Sequence, residues 1–294
     1  MITDPQFLAE QILNSLQFAM LLFLLAIGLS VIFGLMDYLN LAHGTVYMTS
    51  AYLAYSIAQI GGSFWLSLIF APIVATALGM TVYFLLLKRA EGADHLVQVL
   101  LTVGIIYAGT DILRLIYGDL PKGLSQPDIL KGPVALFGLA YPAYRLFIIG
   151  LGLAIMVALY FLLERTKLGA LVRAGVDDRE TTEIMGVNIG AVFTLVFTIG
   201  TYLAGVAGVV AAPIFGVYPG MDVSIIILVL IVIVVGGLGS LKGAILGSLL
   251  IGFADTFGKI LLPQLAMVII YAVMAIVLVA RPTGLLPARR FAGR

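Results

Sequence analysis

The sequence predicts an all-α protein that crosses a lipid bilayer many times, and three observations carry that prediction. Hydrophobic residues make up 62% of the 294-residue chain and charged residues only 11%, against about 45–50% and about 25% in an ordinary soluble domain. The mean hydropathy is +1.16. The apolar residues also fall into runs of about 20, the length a helix needs to cross a hydrocarbon core of about 30 Å.

Nine spans follow in order. The first, Ile12–Phe33, is a mainly apolar run that stops at a polar joint, Gly34–Ala42. The second is His43–Ile60; the third, Phe64–Leu87, ends at Lys88 and Arg89. The fourth and fifth, Leu96–Tyr117 and Leu146–Leu163, flank a polar segment with four prolines, Pro121, Pro127, Pro133 and Pro142. The remaining four are Ala191–Ala212, Val223–Val235, Leu241–Gly258 and Leu265–Ala280. The second, seventh and eighth are short or glycine-rich, the signature of half-membrane or broken segments buried among other helices. The expectation is one domain over residues 1–294 with about eight or nine spanning or partly spanning helices. The N-terminal MITDPQFLAEQ has no positive charge and does not read as a cleavable signal peptide.

Basic residues orient the chain. With the N-terminus outside, eleven Lys and Arg fall in inside segments, among them Arg281, Arg289, Arg290 and Arg294. Four fall outside (Lys122, Lys131, Arg145 and Lys259), and Arg114 lies within a span. That asymmetry follows the positive-inside rule and places the C-terminus in the cytoplasm. Residues 118–145 become an irregular loop on the far face, with receipt of a soluble donor protein left open. Residues 164–190 become a cytoplasmic loop.

That loop, ERTKLGALVRAGVDDRETTEIMGVNIG, is the longest polar interruption and holds four of the sixteen basic and five of the fifteen acidic residues. It contains a compact helix signal. Asp177 reads as the N-cap, with Glu180 at the third position as its capping-box partner. Gly186 falls where a left-handed C-terminal cap belongs. The helix between them, Asp178 to Met185, is marginal alone. Two readings stand: a solvated helix packed on its own protein, or a docking helix for a soluble partner.

Several chemistries are excluded or disfavoured. A net charge of +1 leaves no basic surface for nucleic acid. The absence of cysteine removes disulfides and thiolate metal sites. Two histidines without a second ligand at helical spacing argue against a metal site. There is no phosphate-cradling loop, since Gly236-Gly-Leu-Gly-Ser-Leu-Lys242 lacks the required order and reads as a tight turn. No Gly-x-Ser-x-Gly elbow appears. The membrane charges Asp111 and Arg114, and Asp255 and Lys259, sit three and four apart, the spacings of intrahelical ion pairs.

The joint is more informative. Gly34 and Gly44 bracket Asp37, Asn40 and His43, and the following helix puts His43, Tyr47, Ser50 (or Ala51) and Ala54 on one face. A polar stripe leading into small residues suits either a translocation path or close helix packing. Asn40, His43, Tyr47 and Ser50 are the candidate pathway residues.

At this point a family resemblance appears. Gly28–Tyr55, GLSVIFGLMDYLNLAHGTVYMTSAYLAY, resembles the opening of the membrane permeases of bacterial branched-chain (hydrophobic) amino acid ABC importers, a family that includes related urea and amide permeases. Arg173–Pro213 contains Glu180-Thr-Thr-Glu-Ile-Met-Gly186, a relaxed form of the Glu-Ala-Ala-x-x-x-Gly loop of ABC importer permeases, with threonines in place of the alanines. Val234–Gly252, VVGGLGSLKGAILGSLLIG, is a third match. The resemblance implies an ABC importer permease fold in the bacterial inner membrane and pairing with a second related permease, usually as a heterodimer. It further implies two cytoplasmic ATPase subunits and an external substrate-binding protein. The chain itself would bind no cofactor, with ATP and Mg on the ATPase subunits. Asp177, Asp178, Arg179, Glu180 and Glu183 would supply polar contacts to the ATPase cleft, Ile184 and Met185 would anchor it, and Gly186 would end the helix. The competing class is a secondary carrier or channel for a small neutral solute, which predicts transport without ATP.

Overall fold

The structure, a computed structural model, describes residues 4–36, 38, 40–136 and 138–288. Asp37 of the joint, Arg289, Arg290 and Arg294 of the charge count, and the first three residues of the N-terminal reading lie outside the described residues.

Every predicted span is a helix. In chain order the α-helices are α1 (Pro5–Met36), α2 (His43–Gln59), α3 (Phe64–Leu85), α4 (His95–Tyr117), α5 (Ala143–Arg165), α6 (Lys167–Asp177), α7 (Arg179–Ile184), α8 (Ile189–Phe215), α9 (Met221–Gly236), α10 (Leu241–Leu261) and α11 (Ala266–Ala280). Among the described residues, seven segments are long and apolar enough to cross a membrane, the last being α11 with its preceding 3-10 turn, Pro263–Ala280. The protein is therefore a multi-pass membrane protein. α2 and α9, at 17 and 16 residues, fall short of that length. α10 does not: its 21 residues qualify despite its glycines.

Local signals set most boundaries. Asp4 caps α1, accepting from the Gln6 N–H at 3.0 Å, with Pro5 opening the first turn. Ser63, Asp94, Asn188 and Ser240 cap α3, α4, α8 and α10 through their side-chain oxygens. The Gly236–Lys242 segment is the expected tight turn.

The segment between α4 and α5 corrects one expectation. Residues 133–142 are not irregular: β1 (Pro133–Leu136) and β2 (Leu139–Pro142) form an antiparallel hairpin in register Pro133↔Pro142. Leu139 and Tyr141 alternate inward along β2, the two-residue period of a half-buried strand.

The chain forms two compact units. One comprises residues 1–27, 128–170 and 228–294. In it α10 packs on α11, and Asn14 of α1 accepts hydrogen bonds from Tyr141 of β2, at 3.0 Å, and from Arg145 of α5. Asp255 and Lys259 form the predicted pair at 2.6 Å, with Lys259 also over the Phe18 ring.

The other unit comprises residues 28–127 and 171–227. Its centre is α8, on which α2 and α3 both pack. Gly200, Ala204 and Gly208 recur every fourth residue and form a buried small-residue stripe. Gly200 backs onto Gly28 of α1, Gly205 onto Pro72 of α3, and Gly208 onto the Tyr47 backbone of α2. Small residues let backbones approach closely where no hydrophobic force drives helices together.

Candidate functional site

Two features of the second unit bear on function: the polar loop and a cavity beside α2.

The loop holds two helices where one was expected. α6 carries Val172 and Val176 inward, both buried, and continues through Asp177. The predicted cap is therefore shifted by one residue. Asp177 ends α6, and Asp178 is the N-cap of α7, accepting from the Thr181 N–H at 3.0 Å and the Thr181 hydroxyl at 2.6 Å. Glu180 lies in the first turn and is not the capping partner. Gly186 adopts φ +86°, and its N–H reaches the Glu183 carbonyl at 2.9 Å, so the left-handed stop falls where predicted. Thr182 is buried and its hydroxyl returns to the Asp178 carbonyl, while Arg179 pairs with Glu183 at 3.0 Å and lies over the Phe193 ring of α8. The helix is thus held on α8 through one face. On the other, Ile184 and Met185 are 80% and 79% exposed. Asp177, Asp178, Glu180 and Glu183 are exposed around them.

The joint delivers α2 with its first turn buried. Asn40, His43, Tyr47 and Ser50 are all buried, but the structure does not bring the four together on one surface. Tyr47 and Ser50 face the glycines of α8, and the Ala54 carbonyl accepts from Ser67 of α3 at 3.4 Å. Of the four candidates Asn40 alone lines the cavity. That cavity, about 430 Å³, lies where α3 and α4 both flank α2. Thr45, Val46, Thr49 and Leu53, on the other side of α2 from the predicted stripe, form its floor. Its walls are mainly aliphatic, including Leu78 and Val82 of α3 and Ile105 and Ile112 of α4. Tyr38, in the joint, is also buried, and burial with the nearby Glu91 charge pushes its hydroxyl up to about 12.

Behind the floor is a residue that sequence reasoning missed. Asp222, in the first turn of α9, is fully buried. Its carboxyl accepts from the Thr45 hydroxyl at 3.2 Å, the Thr110 hydroxyl of α4 at 3.5 Å and the Val223 N–H at 3.0 Å. The start of α2 meets the start of α9 here, since Gly44 backs onto the Asp222 carbonyl. The sequence signal was a lone acid heading an apolar run.

Asp111 and Arg114 form the predicted pair at 2.9 Å, and Arg114 also reaches Asp119 at 2.7 Å; all three are largely exposed. Among the described residues no three His, Cys, Asp or Glu side chains cluster as metal ligands.

Comparison with known proteins extends this picture. A family model described as the permease component of branched-chain amino acid transport systems matches residues 11–278. The chain is 28% identical over 291 residues to the high-affinity branched-chain amino acid transport system permease protein BraD of Pseudomonas aeruginosa, covering 94% of this chain and 95% of the relative. It is 25% identical over 293 residues to LivH of Escherichia coli, a permease of the same description, covering 94% of each. It is also 28% identical over 298 residues to LivM of Escherichia coli, covering 92% of this chain and 69% of that relative.

Proposed function

Because this chain belongs to the family of permease components of branched-chain amino acid transport systems, we propose that it carries branched-chain or similarly hydrophobic amino acids, or related small amides, into the cytoplasm. It does so as the membrane subunit of an ATP-driven importer in the bacterial inner membrane. Two separate ATPase subunits bind and hydrolyse ATP with Mg, and an external binding protein delivers substrate to the face bearing the 118–145 segment. The N-terminus lies outside and the C-terminus inside, as the basic residues predict. Resemblance to both LivH and LivM of one organism supports a second, related permease as the partner.

The observation that carries the coupling is α7. A six-residue helix, capped at both ends and held on α8 by one face, offers Ile184 and Met185 to solvent within a ring of charges. Two exposed apolar side chains on a rigid platform fit a socket in a soluble partner, with the acids supplying polar contacts at the rim. Closure of the ATPase dimer then pushes α7, and α8 takes the displacement into the helices packed on it. A carrier working without ATP gives no role to such a platform.

The test is affinity purification of the tagged chain from its native membrane, with mass spectrometry of what accompanies it. Recovery of two ATPases and a second permease, with only the ATPases lost on Glu180→Arg/Glu183→Arg, is the expected result. Recovery of the chain alone, together with ATP-independent solute movement in liposomes, overturns the reading in favour of a carrier.

A further inference from the structure

α3 and α4 are both candidate spans with little of their surface buried, yet their outward faces differ in chemistry. α3 presents Leu66, Ile69, Phe70, Ile73, Val74 and Leu78, an apolar face that lipid tails, as apolar as leucine, can cover. α4 presents Val97, Leu100, Gly104, Tyr107, Asp111 and Arg114, all exposed. These recur at alternating steps of three and four residues, which sets them on one stripe with the spacing of a seam between packed helices. From its midpoint on, the stripe is polar. Tyr107 stands at the centre of the 23-residue α4 and is 67% exposed, about 15 Å from the helix end at 1.5 Å per residue. Tyrosines of membrane spans gather instead at the two membrane–water interfaces. One turn on, the Asp111 side chain is 64% exposed and pairs with Arg114 at 2.9 Å. Ionisable groups in spans face protein or water and avoid lipid. One turn before Tyr107, Gly104 leaves the backbone bare, and an added methyl there would meet nothing within 4 Å. Lipid suits this stripe poorly, because it leaves Tyr107 and Asp111 unsolvated. Water suits it poorly too, because it wets Val97 and Leu100. A helix of another membrane protein suits its whole length.

We propose that this stripe of α4 is the seam on which the second, related permease of the importer packs. A span of that partner comes closest at Gly104, meets Val97 and Leu100 with apolar side chains, and hydrogen-bonds Tyr107 and Asp111. The inference rests on the importer reading above and names the surface on which the partner permease sits. Charge narrows the partner's chemistry. At the Tyr117 end two acids, Asp111 and Asp119, share the single guanidinium of Arg114. That end is therefore short of a donor, and the partner span supplies a basic or other hydrogen-bond-donating group there. Opposite Gly104 the partner's helix lies close enough for van der Waals contact with the α4 backbone, which is how membrane helices associate without a hydrophobic force between them.

The test places the photo-crosslinking residue p-benzoylphenylalanine at Tyr107 or, as the comparison on α3, at Ile73. The complete importer is irradiated in its native membrane, and mass spectrometry identifies what is joined to the tagged chain. The expected result is an adduct with the second permease from Tyr107, in at least tenfold greater yield than from Ile73. In parallel, Gly104→Leu is expected to lower recovery of the second permease with the tagged chain at least tenfold. The thermal midpoint of the purified chain alone should stay in place, because Gly104 has no neighbour of its own chain to displace. Ile73→Trp should leave recovery unchanged. Equal adducts from the two positions, or lipid adducts alone from Tyr107, overturn the proposal. So does an adduct with a second copy of this chain, which gives the seam to a homodimer. Labelling of Tyr107→Cys by an impermeant maleimide in the assembled importer, with no adduct from Tyr107, gives the stripe to an aqueous path and overturns it as well. If no second permease accompanies the unmodified chain, the importer reading itself fails, a different outcome from a partner that is recovered but never joined at Tyr107.

Discussion

Gly208 and Gly104 show how differently one residue type is used in two helices. At Gly208 an added methyl would press on the Tyr47 carbonyl, backbone against backbone, so neither helix can yield cheaply. Gly208→Ala is expected to cost about 1–3 kcal/mol, the range for overpacking a close contact, seen as a lowered thermal midpoint in detergent. At Gly104 of α4 an added methyl would meet nothing within 4 Å; Gly104→Ala should be neutral or stabilising by up to about 1 kcal/mol through helix propensity. Equal effects at the two sites would remove the argument for the small-residue stripe. The cap of α7 makes the same point about legibility. Asp177 and Asp178 both satisfy the sequence rule, and only the backbone decides between them, because α6 runs on to Asp177 and the Asp178 N–H still reaches the Ala174 carbonyl at 2.9 Å. Asp178→Ala is expected to cost about 1 kcal/mol, read as faster amide exchange across residues 179–185.

At the scale of elements, Asp222 ties together helices that are far apart in sequence. Its partners Thr45 and Thr110 are 177 and 112 residues away, which is why the chain read in order shows a helix start and not a junction. Asp222→Ala leaves two buried hydroxyls without an acceptor and is expected to cost about 2 kcal/mol. A double-mutant cycle with Thr45→Val should show coupling above about 0.5 kcal/mol, and strict additivity would mean the contact contributes nothing. The hydrophobic runs and caps made nine helices readable, and the left-handed Gly186 was readable from its spacing. The cavity-lining face of α2 was not. Helical period identifies the stripe His43, Tyr47, Ser50, Ala54, yet cannot say whether α8 or open space lies opposite. α6 was hidden because its inward stripe is short and set among charges.

For the whole molecule, orientation is the property most in need of a direct measurement, and the absence of cysteine makes it accessible. Ile184 and Ile129 are both more than three-quarters exposed. A single cysteine at Ile184 is expected to react with an impermeant maleimide only after permeabilisation, and one at Ile129 to react from outside in intact spheroplasts. The reverse pattern would put α7 out of reach of any cytoplasmic ATPase.

The burial of α1 has a consequence in time. It is 89% buried along its apolar window, more than any other candidate span among the described residues, yet it leaves the ribosome before the other six. Its side chains therefore wait in lipid while the helices that cover them are still being translated. A hydropathy of 2.7 lets it wait there without penalty. Chains truncated before α8 should thus insert but leave α1 open to proteolysis, so that synthesis of the later helices is reported by the shielding of an earlier one.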